Sequence, residues 1–172
     1  ILGPCAGGAV YSPALTDFVI ATREASHMFV TGPDVVRAVT GESISAEELG
    51  GARIHGSVSG VVHYVAEDEM DALEQVRTLL AYLPSSADQD APRAADATAA
   101  AGVGALVPAS SRQAYDVAEV ITALVDHGEL VQVQEVFAPN VVIGFACFEG
   151  RPVGIAANQP LVDAGTLDVD AS

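Results

Sequence analysis

Between Gly3 and Ser12 the chain reads Gly-Pro-Cys-Ala-Gly-Gly-Ala-Val-Tyr-Ser, and up to Ala9 it carries almost no side-chain bulk. Ile1-Leu2 predicts the end of a buried strand, Gly3-Pro4 a break in it, and Ala9 to Leu15 a short apolar helix. Gly7 and Gly8 can take backbone angles closed to other residues, and they let a ligand or a neighbouring element touch the main chain. The first amides of a helix have no partner inside it, and the helix dipole favours negative charge there. Two such N–H groups can hold a developing oxyanion, and losing one typically costs about 10²–10³ in rate. Small residues also let a strand and a helix pack closely, so the glycine pair alone reads first as a packing turn.

Composition narrows the partners. The formal charge is −16, and the basic side chains are 7 arginines with no lysine. A surface so acidic is a poor match for nucleic acid or an anionic membrane. Half the residues are hydrophobic, enough for a real core, yet no run of eighteen apolar residues could span a bilayer. No basic segment precedes an apolar run, so no secretory signal is visible, and Cys5 and Cys147 form no CxxC or disulfide framework. A cytoplasmic setting is the default expectation. The chain opens on Ile1, inside strand-like sequence, and Asp170–Ser172 reads as the lead-in to a helix. The expectation is an excerpt of a longer protein.

Taken in order, Asp17–Ile20 and His27–Val30 read as strands around an Arg23–Ser26 loop. Thr31–Asp34 starts a helix with Pro33 in its first turn, Val35, Val36 and Val39 on its apolar face, and Gly41 at its end. Ser45-Ala-Glu-Glu48 is a capping-box pattern, and Gly50-Gly51 stops that helix. This second glycine pair is a helix stop or another close approach to a ligand or a neighbouring subunit. Val61–Ala66 reads as a strand. Glu67–Leu83 is the clearest helix, with Met70, Leu73, Val76, Leu80 and Leu83 at helical spacing. From Pro84 to Gln113 the composition turns to Ala, Asp, Ser, Pro and Gly, the mark of a surface linker. Asp116 caps a further helix, with Val117, Val120, Ile121 and Leu124 on its buried face. Leu130–Val136 alternates as a strand does, and two more strands flank Glu149-Gly150, a hairpin turn signal.

The usual catalytic sets are missing. Ser57-Val-Ser-Gly60 is not a nucleophile elbow, because Val58 stands where the serine would be. Gly102-Val-Gly104 lacks the third glycine of a dinucleotide loop, and without lysine no phosphate-binding P-loop is possible. The four histidines match no zinc spacing, and no metal site is expected. His27 and His63 lie on strands, His55 follows a glycine turn and His127 ends a helix. As a class they read as core or capping residues rather than acid–base catalysts. Cys5 reads as a small packing residue.

The blocks GPCAGGAVYSPALTDF, SHMFVTGPDVV, TGESISAEELGGARIH, SGVVHYVAEDEMDAL, LLAYLP, FAPNVVIGF, GRPVGIAANQP and AGTLDVDAS occur in this order. Together they resemble the carboxyltransferase (beta) subunits of biotin-dependent acyl-CoA carboxylases, the propionyl-CoA and acetyl-CoA carboxylase group. The resemblance covers nearly the whole chain outside about Ser85–Gln113. It implies an α/β, crotonase-like fold of the ClpP/crotonase superfamily, present as partial N and C domains. Residues 1–84 would be the C-terminal part of the N domain, 85–113 a linker, and 114–172 the N-terminal part of the C domain. The implied reaction moves a carboxyl group from carboxybiotin to the α-carbon of an acyl-CoA through a thioester enolate. Gly7 and Gly8 would be a backbone oxyanion pair, facing the acyl thioester or alternatively the biotin carbonyl. Ala6 and Tyr11 would line the same substrate pocket. Biotin would be carried on a partner, the biotin carboxylase/biotin carrier (alpha) subunit, and the beta subunits would form a homo-oligomer. Arg23, Arg53 and Arg151 are the available cations for CoA phosphates, and nothing selects one. An acyl-CoA decarboxylase of the same superfamily and a non-catalytic assembly subunit are the competing readings.

Overall fold

In the computed structural model the structure describes residues 1–97 and 102–172. It divides the chain into two compact units, Ile1–Arg77 and Thr78–Ser172.

The first unit is built on short parallel pairings. Strand β1 (Pro4–Ala6) pairs in parallel with β3 (His27–Phe29), and β2 (Ile20–Thr22) pairs in parallel with β4 (Tyr64–Ala66). The sequence places the first strand at Ile1-Leu2 with a break at Gly3-Pro4. Instead the assigned strand begins at Pro4, the position where a residue without an N–H costs a ladder least. Ile1 still behaves as a strand residue. Its nitrogen donates to the Ile20 carbonyl at 2.6 Å, and its own carbonyl accepts from Thr22 N–H at 3.2 Å. The N-terminal segment therefore ladders first with β2 and then with β3. Beneath it, Val10, Val19, Ala21, Met28, Ala52 and Val62 form the buried core, with Ile1, Cys5, Val61 and Val65 packed against them. Fully burying a valine or methionine such as Val19, Met28 or Val62 is worth about 1.5–3 kcal/mol, which helps to anchor such short strands.

The helices follow their caps. Helix α1 (Tyr11–Ala14) is a single turn. Helix α2 (Pro33–Thr40) has Pro33 in its first turn and stops at Gly41, which is left-handed at φ 78°. Helix α3 (Ala46–Gly50) carries the complete capping box: Glu48 N–H donates to Ser45 Oγ, and Ser45 N–H donates to Glu48 Oε2. Gly51, extended at ψ 159°, ends α3 as the sequence predicts, and it is also the N-cap of a further helix, α4 (Ala52–Ser57), which the sequence pattern did not announce. Helix α5 (Glu69–Ala81) starts where Asp68 Oδ1 accepts from Met70 and Asp71 N–H. The apolar stripe expected to be its buried face is turned outward. Met70, Leu73, Val76 and Leu80 are exposed, while Ala72 and Leu79 are buried. Val35 and Val39 of α2 are likewise exposed. Periodicity locates a helix, but which stripe faces the core depends on partners that spacing does not name.

The second unit contains α6 (Val117–Leu124), capped by Asp116 Oδ1, and an antiparallel sheet of order β5 (Leu130–Val133), β6 (Val141–Phe148), β7 (Arg151–Asn158). Ile121, Val125, Val142 and Ala146 form its core. Buried Gln159 ties the end of β7 to α6: its Nε2 donates to Asp116 Oδ1 at 2.7 Å, and its Oε1 accepts from Val117 N–H at 3.2 Å. The seam between the units falls in α5, and the stretch after Pro84 is attached to the sheet, with Ala94 N–H donating to the Gly150 carbonyl at 2.9 Å.

The hairpin turn is as the sequence predicts, with φ of 52° at Glu149 and 74° at Gly150. Such turns prefer Asn at the first position, because its short side chain tolerates the left-handed region. Glu149→Asn is expected to stabilise the protein by about 0.5–1 kcal/mol, read as a raised thermal unfolding midpoint; an unchanged or lowered midpoint contradicts this.

Candidate active site

Strand β1 delivers its chain directly into Gly7. Ala6 is extended at φ −129°, ψ 158°, and a 3₁₀ turn runs Gly7–Val10 before α1 begins at Tyr11. The single helix expected from Ala9 to Leu15 is therefore two short turns, with Tyr11 N–H donating to the Gly8 carbonyl. So short a structure has little macrodipole, and the anion-binding capacity lies in the individual N–H groups at its start.

The two glycines differ. Gly7 sits at φ 63°, where any other residue is strained, whereas Gly8 is outside that region. A Cβ added to either would meet nothing within 4 Å. Gly8 is exposed, Ala9 is exposed, and Val10 immediately after them is buried in the core. The turn is thus fixed from below by Val10 and open above at the glycines. Packing does not require Gly8 to be glycine, which weakens the packing-turn reading at that position. Ala6 and Tyr11 flank the pair on the same turn, and Tyr11 is 56 % exposed. Cys5, half-buried against the core, is placed as a packing residue.

The histidines sit elsewhere, and three of them make structural contacts. His63 Nδ1 accepts from Val19 N–H at 3.0 Å, and its ring stands edge-on to Phe18. His27 Nε2 lies 3.4 Å from Glu47 Oε2. His55 bridges Ser59 and the Met28 carbonyl. His127 adopts φ 56° after α6. The thiol of Cys147 is pushed up by burial and by Asp126 and Glu129, which disfavours the thiolate. Arg23 is paired with Glu67 at 2.8 Å, in a shallow cleft shared with Glu24, Asp68 and Glu69, an environment unsuited to an anion. Arg53 and Arg151 are exposed on α4 and β7. Among the described residues no group of three His, Cys, Asp or Glu side chains could hold a metal ion, and no helix is long and apolar enough to cross a membrane.

Burial holds the His63 imidazole below its ordinary value of 6.5, and protonation would also remove the acceptor for Val19 N–H. Below pH 6.5 the unfolded chain binds the proton first, so stability is full above that pH and falls as the pH drops through the window towards the lowered folded value. His63→Asn, whose Oδ1 can accept the same bond, is expected to flatten this part of the stability–pH curve. An unchanged slope in the variant would remove His63 as its source.

The whole chain, residues 1–172, matches the carboxyl transferase domain. The chain belongs to this family. It is 53% identical to the propionyl-CoA carboxylase beta chain of Saccharopolyspora erythraea, with all of the chain and 34% of that protein aligned. It is 52% identical to the methylmalonyl-CoA decarboxylase alpha subunit of Veillonella parvula, over all of the chain and 35% of that protein. A crystal structure of transcarboxylase 12S with hydrolysed methylmalonyl-CoA bound superposes with a TM-score of 0.95 at 45% identity, covering 99% of this chain and 34% of that one. The chain therefore spans about a third of the length of the relatives it matches, and its α/β fold is that of the carboxyltransferases. The ordered blocks that carry the resemblance in the sequence all fall within the matched residues. The Gly7–Gly8 turn lies in the first of them.

Proposed function

We propose that the protein containing this chain transfers a carboxyl group between biotin and the α-carbon of an acyl-CoA, with Gly7 and Gly8 supplying backbone N–H groups to an oxyanion. The observation that carries this is the Gly7–Gly8 turn: two consecutive residues without side chains, open above and anchored below, in a chain of the carboxyl transferase family. The hard step is formation of the thioester enolate. Backbone donors aimed at the enolate oxygen stabilise it without a charged side chain, and they need no reorganisation as charge develops. The base is the ureido nitrogen of biotin once CO₂ has left, so the histidines have no part in the step. The donors face the thioester oxygen; in the alternative pose they hold the biotin carbonyl. Ala6 and Tyr11 line the pocket, Tyr11 through an exposed ring on the first turn after the glycines.

Biotin is carried on a partner alpha subunit, and the protein assembles as an oligomer of beta subunits, in line with the hexameric core named for transcarboxylase 12S. In this reading residues 1–84 are the later part of an N domain, 85–113 a linker, and 114–172 the opening of a C domain. The protein works in the cytoplasm.

The second reading keeps the site and reverses the flow, from a carboxylated acyl-CoA to biotin. The decarboxylase subunit at 52% identity favours it as strongly as the carboxylase at 53% favours the first. The test is carboxyl exchange by the full-length protein, using biotin carrier with propionyl-CoA in one direction and methylmalonyl-CoA in the other. Biotin-dependent exchange in either direction is the expected result, and the faster direction with the native partner decides between the readings. Acyl-CoA binding without exchange in both directions would leave a non-catalytic assembly subunit.

A further inference from the structure

Strand β1, which carries the chain into Gly7, is held on one side by β3: Pro4 lies opposite His27, Cys5 opposite Met28 and Ala6 opposite Phe29. His27 also forms an antiparallel bridge with Gly51, and one residue can bridge two partners only through its two edges. So β3 lies between β1 and the corner where α3 passes into α4. That corner closes on the Met28 carbonyl from two sides. His55 Nε2 lies 2.6 Å from it, and a Cβ on Gly50 would fall 2.1 Å from it. A carbonyl only accepts, so Nε2 donates to it, and Nδ1 is hydrogen-bonded to the Ser59 hydroxyl at 2.8 Å. Both ring nitrogens have a hydrogen-bond partner.

We propose that His55 is a positioning residue for the Gly7–Gly8 turn, acting through Met28 on the register and depth of β3 and so on the strand that presents the two amides. The inference rests on the oxyanion reading of that turn. His55 touches no reacting atom. It holds the neighbour of β1 at one carbonyl, adding a side-chain bond to the β1 ladder and the Gly51 bridge that also fix this three-residue strand. Oxyanion donors act only at hydrogen-bond distance, and a displacement of about 1 Å can cost roughly 10²-fold in rate.

The test uses the full-length protein with its biotin carrier. His55→Ala is expected to lower kcat by about 10²-fold with KM for acyl-CoA unchanged, the pattern of a lost transition-state interaction. His55→Gln, whose amide can donate to the same carbonyl, is expected to recover most of the rate. Deuterium exchange over residues 4–10 is expected to quicken in His55→Ala, with no change over residues 141–158. Ser59→Ala, at an exposed position, removes only the bond to Nδ1, and a several-fold loss of kcat with the same quickening is expected even if His55→Ala fails to fold. Unchanged kcat and exchange in Ser59→Ala together with a His55→Ala variant of normal rate would overturn the proposal. Gly8→Asp, run in parallel, separates the two claims. If it abolishes exchange while the His55 and Ser59 variants turn over normally, only the positioning role falls. If Gly8→Asp itself turns over normally, the oxyanion reading falls and the positioning role with it.

Discussion

Gly8→Asp is expected to abolish carboxyl exchange in the full-length protein, by at least about 10³-fold, while leaving its folding unaltered. Both halves of this expectation come from the same geometry. A Cβ at Gly8 meets nothing within 4 Å, and its backbone is not in the left-handed region, so the substitution adds neither a clash nor strain. The new carboxylate then occupies the open side of the turn, where the proposed enolate oxygen would develop its charge. It blocks the donors and opposes the charge they would stabilise. The neighbouring position should behave differently. Gly7 stands at φ 63°, and Gly7→Ala is expected to destabilise the turn by about 1–2 kcal/mol. Exchange assays and thermal unfolding on the two variants therefore separate a site glycine from a backbone glycine. Normal turnover in Gly8→Asp would remove the oxyanion role. A loss of activity tracking a loss of folding would return Gly8 to the packing-turn reading.

Gly7–Gly8 was legible because its signal is local: small residues between a strand and a helix, then a buried Val10. The caps were legible for the same reason. Ser45 with Glu48, Asp116 before α6, Pro33 and Gly41 about α2, and Glu149-Gly150 in the hairpin each depend on a few adjacent residues. Strand edges were less so. The strand predicted at Asp17–Ile20 lies at Ile20–Thr22, because Val19 is occupied by His63: its carbonyl accepts from His63 N–H at 2.8 Å, and its own N–H donates to the ring. Pairing 44 residues apart leaves no trace in local composition. The outward stripe of α5 fails for a related reason, since Met70, Leu73, Val76 and Leu80 have helical spacing whichever way the helix faces. His55 shows the same limit at the site. Nothing about a histidine after a glycine turn says that its Nε2 meets a carbonyl 27 residues earlier.

The other large effect is expected at Gly50, and it concerns stability. The sequence reads Gly50-Gly51 as a helix stop or as a close approach, and the structure makes Gly50 a close approach between elements of the same unit. The Cβ of Gly50→Ala would fall 2.1 Å from the Met28 carbonyl oxygen and 3.0 Å from the Phe29 ring. Backbone atoms cannot swing aside as a side-chain tip can, so either α3 withdraws or β3 shifts. The glycine has no left-handed angle to lose, and alanine is the better helix former, by about 0.8–1.0 kcal/mol in a helix interior. That gain is outweighed, since overpacking a buried contact costs about 1–3 kcal/mol and here the obstacle is main chain. A net loss of roughly 1–2 kcal/mol is expected, seen as a lowered unfolding midpoint. Gly51 provides the control. Its added Cβ would meet the Glu47 carboxylate, the far end of a flexible side chain, so Gly51→Ala is expected to cost less. Equal midpoints for the two variants would mean that the contact of α3 with β3 gives way freely. Such freedom would also deny β3 the fixed position on which the presentation of Gly7 and Gly8 depends.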